Sequence, residues 1–160
     1  MPNIETWELL SYIVTVIGLP FALVVFLLQE RKERENEDEA IWQQLSDAYI
    51  DFLEVVLAHP DLKLRSQRST PDLNDEQRER MLVIFDMLIS LFERAYLLAY
   101  EEDMDEKQQR RWHSWEDYMR EWCRRDDFRE RLPDLLRGED PDFSAYIRRL
   151  AADEGGSETL

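Results

Sequence analysis

Residues 112–128 read WHSWEDYMREWCRRDDF, and the spacing of the large side chains in this stretch decides the fold class. Four large apolar residues follow one another at intervals of three, four and three, which places them on one face of an α-helix: Trp112, Trp115, Met119 and Trp122. We interpret this stripe as part of a helical core. Because large aromatic side chains also dominate interaction sites, an exposed docking face is the alternative.

The same stretch contains a histidine and the only cysteine, but no catalytic pair is predicted from them. His113 and Cys123 are ten residues apart on one helix, which separates them by roughly 15 Å, whereas a thiol nucleophile needs its imidazole within hydrogen-bond reach. Asp86 and Glu93 are considered as paired carboxylates, yet no histidine or ligand spacing accompanies them. The sequence predicts no catalytic, metal-binding or cofactor-binding residue, and hence a non-enzymatic protein.

Composition and charge narrow the fold class and the partners. Only 4 glycines and 6 prolines accompany 35% charged residues in a chain of 160, which favours an all-α fold of long helices. The formal net charge of -16 disfavours nucleic acid as a partner, because phosphate backbones are repelled. A single cysteine forms no internal disulfide, in keeping with a reducing compartment.

Residues 9–28 read LLSYIVTVIGLPFALVVFLL and contain no charge. Twenty uncharged, mostly apolar residues in a helix cross a hydrocarbon core of about 30 Å, so a single transmembrane helix is predicted. A cleaved signal peptide is not predicted, because the run lacks a basic segment before it. Arg31, Lys32 and Arg34 follow the run, which predicts an N-terminus outside and a cytoplasmic C-terminal part.

Within this run the small and weakly polar residues recur at intervals of four, three and four, on one helix face: Ser11, Thr15, Gly18 and Ala22. Small faces are where membrane helices approach each other. The sequence predicts helix–helix packing there. A generic anchor, in which these residues fall in line by chance, remains the alternative.

The rest of the chain reads as a charged helical stalk and a bundle of about four helices. A helix stops at or before Pro60, and a loop of roughly fifteen residues comes after it. Its basic residues, Lys63, Arg65 and Arg68, are predicted either to contact an acidic partner or to be solvated. The C-terminal region is expected to contain a short helix broken around Pro133 and a last helix through Leu150. The predicted segments are an anchor at 1–29, a stalk at 30–40, a cytosolic helical domain at 41–152 and a disordered tail at 153–160.

Three stretches carry a resemblance to other proteins: GLPFALVVFLLQERKEREN at 18–36, ISLFERAYLL at 89–98 and SWEDYMREWCRRDDF at 114–128. Their order resembles a group of uncharacterised bacterial proteins with one N-terminal span and a cytosolic all-α domain. The resemblance implies the bacterial inner membrane and a single-pass topology. It carries no activity and no functional residue.

Two functional hypotheses fit these sequence features. The first is a membrane-tethered, non-enzymatic interaction or regulatory module, in contact with the lipid bilayer and with a protein partner or a second copy of itself. The second is a membrane-active effector or channel-like oligomer assembled through the transmembrane helix. No cofactor is expected in either case.

Overall fold

The computed structural model describes the backbone of residues 4–156 and the side chains of residues 21–34 and 36–156. Throughout this part of the chain the only regular elements are helices, so the predicted all-α class is confirmed. The α-helices are α1 (Ile4–Ala58), α2 (Asp75–Ala99), α3 (Glu106–Cys123), α4 (Asp126–Leu135) and α5 (Pro141–Gly156), with a short 3-10 helix at Pro60–Leu62.

The chain divides into two compact units, Met1–Trp42 and Gln43–Leu160. In the first unit the residues predicted as a stalk are helical, and Arg34 pairs with Glu30 at 2.7 Å across one turn. Exposed pairs of this kind contribute little free energy, about 0.3–0.5 kcal/mol each. Among the residues whose side chains are described, no helix combines the length and the apolar character that crossing a membrane requires.

The second unit is a helical bundle in which α3 supplies the central aromatic stripe. Trp112, Trp115, Met119 and Trp122 are all buried, with 4% exposure or less. Phe52 of α1 packs edge-on against Trp122, Phe92 of α2 against Trp115, and Tyr146 of α5 against Trp112. The stripe therefore lies in the core, and the structure does not expose it as a docking face.

The buried polar atoms of this core are paired. The indole nitrogen of Trp112 donates to the Tyr146 hydroxyl at 2.9 Å, and that hydroxyl donates to Glu116 at 2.7 Å. Although burial opposes it, the hydrogen bonds from Tyr146 and Arg120 lower the pKa of Glu116. No buried side-chain nitrogen or oxygen in the described residues lacks a hydrogen-bond partner, which is what a single packed state requires.

Two features of the C-terminal helices differ from those expected. Pro133 lies inside α4 instead of breaking it; its missing N–H removes one helical hydrogen bond, and the helix ends two residues later. The last helix runs to Gly156, beyond the predicted end at Leu150, and residues 153–156 are helical instead of belonging to a disordered tail. Glu154 in this extension accepts a hydrogen bond from Arg124, the residue after α3, at 3.0 Å, a contact that supports the additional turn.

Candidate functional site: an arginine pocket

The loop at residues 59–74, between α1 and α2, is fixed by one buried arginine. Arg125 precedes α4 and is 4% exposed. Its guanidinium donates to the carbonyl of Leu64 at 2.9 Å and to the carbonyls of Lys63 and Gln67. Because the loop also buries Leu62 and Leu64, it is an ordered part of the domain and not only a solvated connection.

Asp127 completes this anchor. Its carboxylate accepts both Nε and Nη2 of Arg125, at 3.0 and 2.6 Å, a bidentate geometry that is the strongest form of charged hydrogen bond. It also accepts the backbone N–H of Thr70 at 3.3 Å. Nη2 of Arg125 reaches the Thr70 hydroxyl at 3.3 Å as well. All the donors of Arg125 are therefore engaged, and its role is to position the loop.

Three further arginines line a surface pocket beside this anchor. The pocket has a volume of about 240 Å³, and Arg65 and Arg68 of the loop and Arg124 at the end of α3 contribute to its wall. We call this group, with Arg125 beneath it, the arginine pocket. Glu121 is the one acidic residue among the lining side chains. A locally positive concavity on a chain of net charge -16 is suited to an anionic group.

The arginines of the pocket are held in place by partners within the domain. Arg65 pairs with Glu121 at 2.7 Å and lies 5.7 Å from the centre of the Trp122 ring, a cation–π distance. Arg124 pairs with Glu154 at 3.0 Å. Both arginine side chains are exposed, so each pair contributes little to stability and leaves donors accessible to solvent. The guanidinium groups are thereby oriented while they stay exposed to solvent.

The predicted site residues are brought together only in part. Arg65 and Arg68 lie in one pocket, whereas Lys63 lies outside its lining and adopts a left-handed backbone conformation, with φ of 48°. Of the predicted membrane packing face, Ser11, Thr15 and Gly18 lie outside the described side chains, and Ala22 is exposed. Helix–helix packing there stays a prediction.

Two residues of the pocket were missed by the sequence interpretation. Sequence reasoning gave no binding role to Arg124 or Arg125, yet both line the pocket. The signal was the sequence RRDDF at 124–128. Two acids directly after two arginines mark a helix start, where acids are favoured, and they also provide the partner for a buried arginine.

A second group of titratable residues lies at the turn between α4 and α5. Glu139 hydrogen-bonds to Glu93 of α2, and this bond, with burial and the nearby charge of Asp86, raises the pKa of Glu139 to about 7. Glu93 also accepts the backbone N–H of Asp140. Sequence reasoning considered Asp86 and Glu93 as a carboxylate pair and rejected it; in the structure the carboxyl group bonded to Glu93 is that of Glu139. No group of His, Cys, Asp and Glu in the described residues is arranged to hold a metal ion.

The single cysteine, Cys123, is too deeply buried to act as a nucleophile. Cys123 is fully buried, and its burial raises the pKa of the thiol to about 12, so the thiolate that a nucleophile requires is absent near neutral pH. His113 is exposed on α3.

A scan against protein-family models and searches of curated proteins and of solved structures found no match. The resemblance to single-span bacterial proteins therefore stays a prediction. The arginine pocket is a distinctive chemical feature of the surface formed by the described residues.

Proposed function

We propose that this chain is a membrane-tethered, non-enzymatic interaction module whose arginine pocket binds an acidic segment of a partner protein. The observation that carries the proposal is the convergence of Arg65, Arg68 and Arg124 on one pocket of a domain that otherwise carries an excess of acid. Guanidinium groups are well suited to this task, because their planar donors bind carboxylates in pairs.

The net charge distinguishes an acidic protein segment from an anionic membrane surface. A lipid surface is extended and meets the field of the whole domain, which is negative and repels it. A narrow acidic segment meets mainly the local field of the pocket. The proposal therefore assigns the pocket to a protein partner.

The membrane part of the proposal is supported by the apolar surface of α1. Seven of the eight side chains from 21 to 28 are exposed, and all eight are apolar; successive residues of a helix point about 100° apart, so this surface surrounds the helix. A helix that is apolar on every side requires a core or a lipid environment. We propose that residues 9–28 span the inner membrane of a bacterium, with the second unit in the cytoplasm.

The test of the pocket uses a fluorescent hexaglutamate peptide and the full-length chain in non-ionic detergent, at low ionic strength. The triple variant Arg65→Gln/Arg68→Gln/Arg124→Gln is expected to weaken peptide binding about tenfold or more, because charge-assisted hydrogen bonds are lost. Fluorescence anisotropy measures the binding.

The matched control is Arg131→Gln/Arg137→Gln/Arg148→Gln, which changes the net charge equally at exposed positions outside the pocket. Equal weakening by the two triple variants would show diffuse attraction and would contradict the proposal. Competition by millimolar phosphate as effective as that by unlabelled peptide would also contradict it, because a site for a small oxyanion would then be indicated.

A further inference from the structure

A second concavity of the bundle has the opposite chemistry to the arginine pocket. It lies where the end of α2 meets α5, with a volume of about 450 Å³. Three tyrosines and three acidic residues line it: Tyr96, Tyr100, Tyr146, Glu101, Glu102 and Asp142. We call it the tyrosine groove. Aromatic rings beside carboxylates attract organic cations through both the ring quadrupole and the charge.

The potential in the tyrosine groove is negative. Besides burial, the nearby charges of Asp142, Asp140 and Glu102 contribute to raising the pKa of Tyr96. Arg149 already makes a cation–π contact in the groove, since its guanidinium lies 5.1 Å from the centre of the Tyr146 ring. Three lining carboxylates face this single guanidinium, so the groove keeps an excess of negative charge.

The ring geometry decides which kind of cation fits. The Tyr96 and Tyr100 rings stack with centroids 4.6 Å apart, and each lies within about 5.3 Å of the Tyr146 ring. Rings in direct contact leave no gap for a bulky quaternary ammonium group between their faces. Tyr96 and Tyr100 are half-buried, so part of each ring stays accessible to apolar methylene stems, as when lysine stems cover apolar surface.

We infer that the tyrosine groove binds a linear polyamine, with methylene segments against Tyr96 and Tyr100 and protonated amines at Glu101, Glu102 and Asp142. Two or three positive charges along one chain match the excess of carboxylates, which a monoamine does not. This site is separate from the arginine pocket and does not depend on the function proposed for it.

The test is calorimetric titration of the full-length chain with spermidine, in non-ionic detergent at low ionic strength. Saturable binding with one site is expected. The double variant Glu101→Gln/Glu102→Gln is expected to weaken binding about fivefold or more, on the usual contribution of partly exposed ion pairs. Both residues are exposed in the segment between α2 and α3, so the fold is not at stake.

The matched control is Asp47→Asn/Asp51→Asn, which removes the same charge from exposed positions on α1. The ring is tested separately: Tyr100→Leu is expected to weaken binding about two- to fivefold, whereas Tyr100→Phe keeps the ring and retains binding. Thermal unfolding of both Tyr100 variants shows whether the fold is intact. If Tyr100→Leu does not fold, the comparison of Glu101→Gln/Glu102→Gln with Asp47→Asn/Asp51→Asn still shows whether spermidine binds in the groove.

Three results would overturn the inference. Equal weakening by the groove variant and the control would show that spermidine is attracted only by the net charge. Tighter binding of trilysine than of spermidine, lost in Glu101→Gln/Glu102→Gln, would assign the groove to a basic protein segment instead of a small amine. Absence of spermidine binding at millimolar concentration would also contradict the inference that the groove binds a polyamine.

Discussion

Arg125 joins parts of the domain that are far apart in the sequence. It connects α4 to a loop 55 to 62 residues earlier in the chain. The guanidinium of Arg125 donates hydrogen bonds both to the Asp127 carboxylate and to the loop carbonyls. Removing the cation therefore leaves several polar groups without their partner, and such losses are larger than the value of any one hydrogen bond.

The variant Arg125→Met is expected to lower the free energy of unfolding by about 3 kcal/mol, as when one partner of a buried ion pair is removed. Urea denaturation followed by tryptophan fluorescence measures this, because the core stripe contains three tryptophans. Arg131→Met, at an exposed position of α4, is the control and is expected to stay within about 0.5 kcal/mol of the wild type. A loss below about 1 kcal/mol for Arg125→Met would contradict the anchoring role.

Cys123 gives a second prediction at this scale. Because the thiol is buried and its pKa is raised to about 12, a disulfide reagent at pH 8 is expected to leave the folded protein unlabelled for as long as it stays folded. In denaturant the single thiol reacts at once. Absorbance of the released chromophore follows both reactions. Rapid labelling of the folded protein would show that the core around α3 opens more readily than its packing indicates.

At the scale of elements, the turn between α4 and α5 contains the clearest pH-sensitive contact. The raised pKa of Glu139 means that the folded chain holds this proton up to about pH 7, whereas the unfolded chain releases it near the ordinary value of 4.5. The stabilising contribution is therefore complete below pH 4.5 and is lost as the pH rises through 7. Above that pH the carboxylates of Glu93, Glu139 and Asp86 repel one another.

We expect Glu139→Gln to reduce the fall in stability between pH 5 and pH 8, because its amide keeps a donor for Glu93 without titrating. The difference is expected to be about 1 kcal/mol or less, since the site is partly exposed and solvent screens it. Unfolding free energies at several pH values measure it. Glu130→Gln, at an exposed position of α4, is the control. If the unfolding free energy of Glu139→Gln depended on pH as that of the wild type does, the raised pKa of Glu139 would be refuted.

Helix boundaries were predictable where the determinants are local. Asn74 is a residue type that commonly caps a helix, and its side chain accepts the backbone N–H of Gln77 at 2.8 Å in a capping box. Asp140 directly before Pro141 is a typical helix start, and its side chain accepts the backbone N–H groups of Asp142 and Phe143. The end of α5 was not predictable, because its last turn is supported by Glu154 contacting Arg120 and Arg124, more than 29 residues away.

At the scale of the whole molecule, periodicity was sufficient for the all-α class and for the core stripe, but not for the arginine pocket. Arg65 and Arg68 stood out as a basic loop, whereas Arg124 and Arg125 read as ordinary surface charges of a helix. Only the docking of the loop against α4 brings the two pairs together, as when the N–H of Asp126 bonds the carbonyl of Arg68 at 2.8 Å. Contacts of this kind leave no periodic signal in a sequence.

The proposed membrane anchor is tested by the double variant Phe21→Arg/Val24→Arg. Each arginine in a span costs about 2.5–3.5 kcal/mol near the bilayer centre, so the variant is expected to be released by alkaline carbonate washing while the wild type stays in the membrane pellet. The matched control is Ile50→Arg/Leu57→Arg, the same change at exposed apolar positions later in α1. Retention of Phe21→Arg/Val24→Arg in the pellet, or release of the wild type, would contradict the anchor.

The large sequence separation between Arg125 and the loop that it binds also affects how the domain folds during synthesis. Gln67 and Arg125, joined by a hydrogen bond, are 58 residues apart, and at about 5–20 residues per second a ribosome needs roughly 3 to 12 s to make that interval. The loop cannot reach its final form before then. Until then Leu62 and Leu64, which the finished domain buries, lack their final packing, and once outside the ribosome they are accessible to chaperones, to proteases and to neighbouring nascent chains.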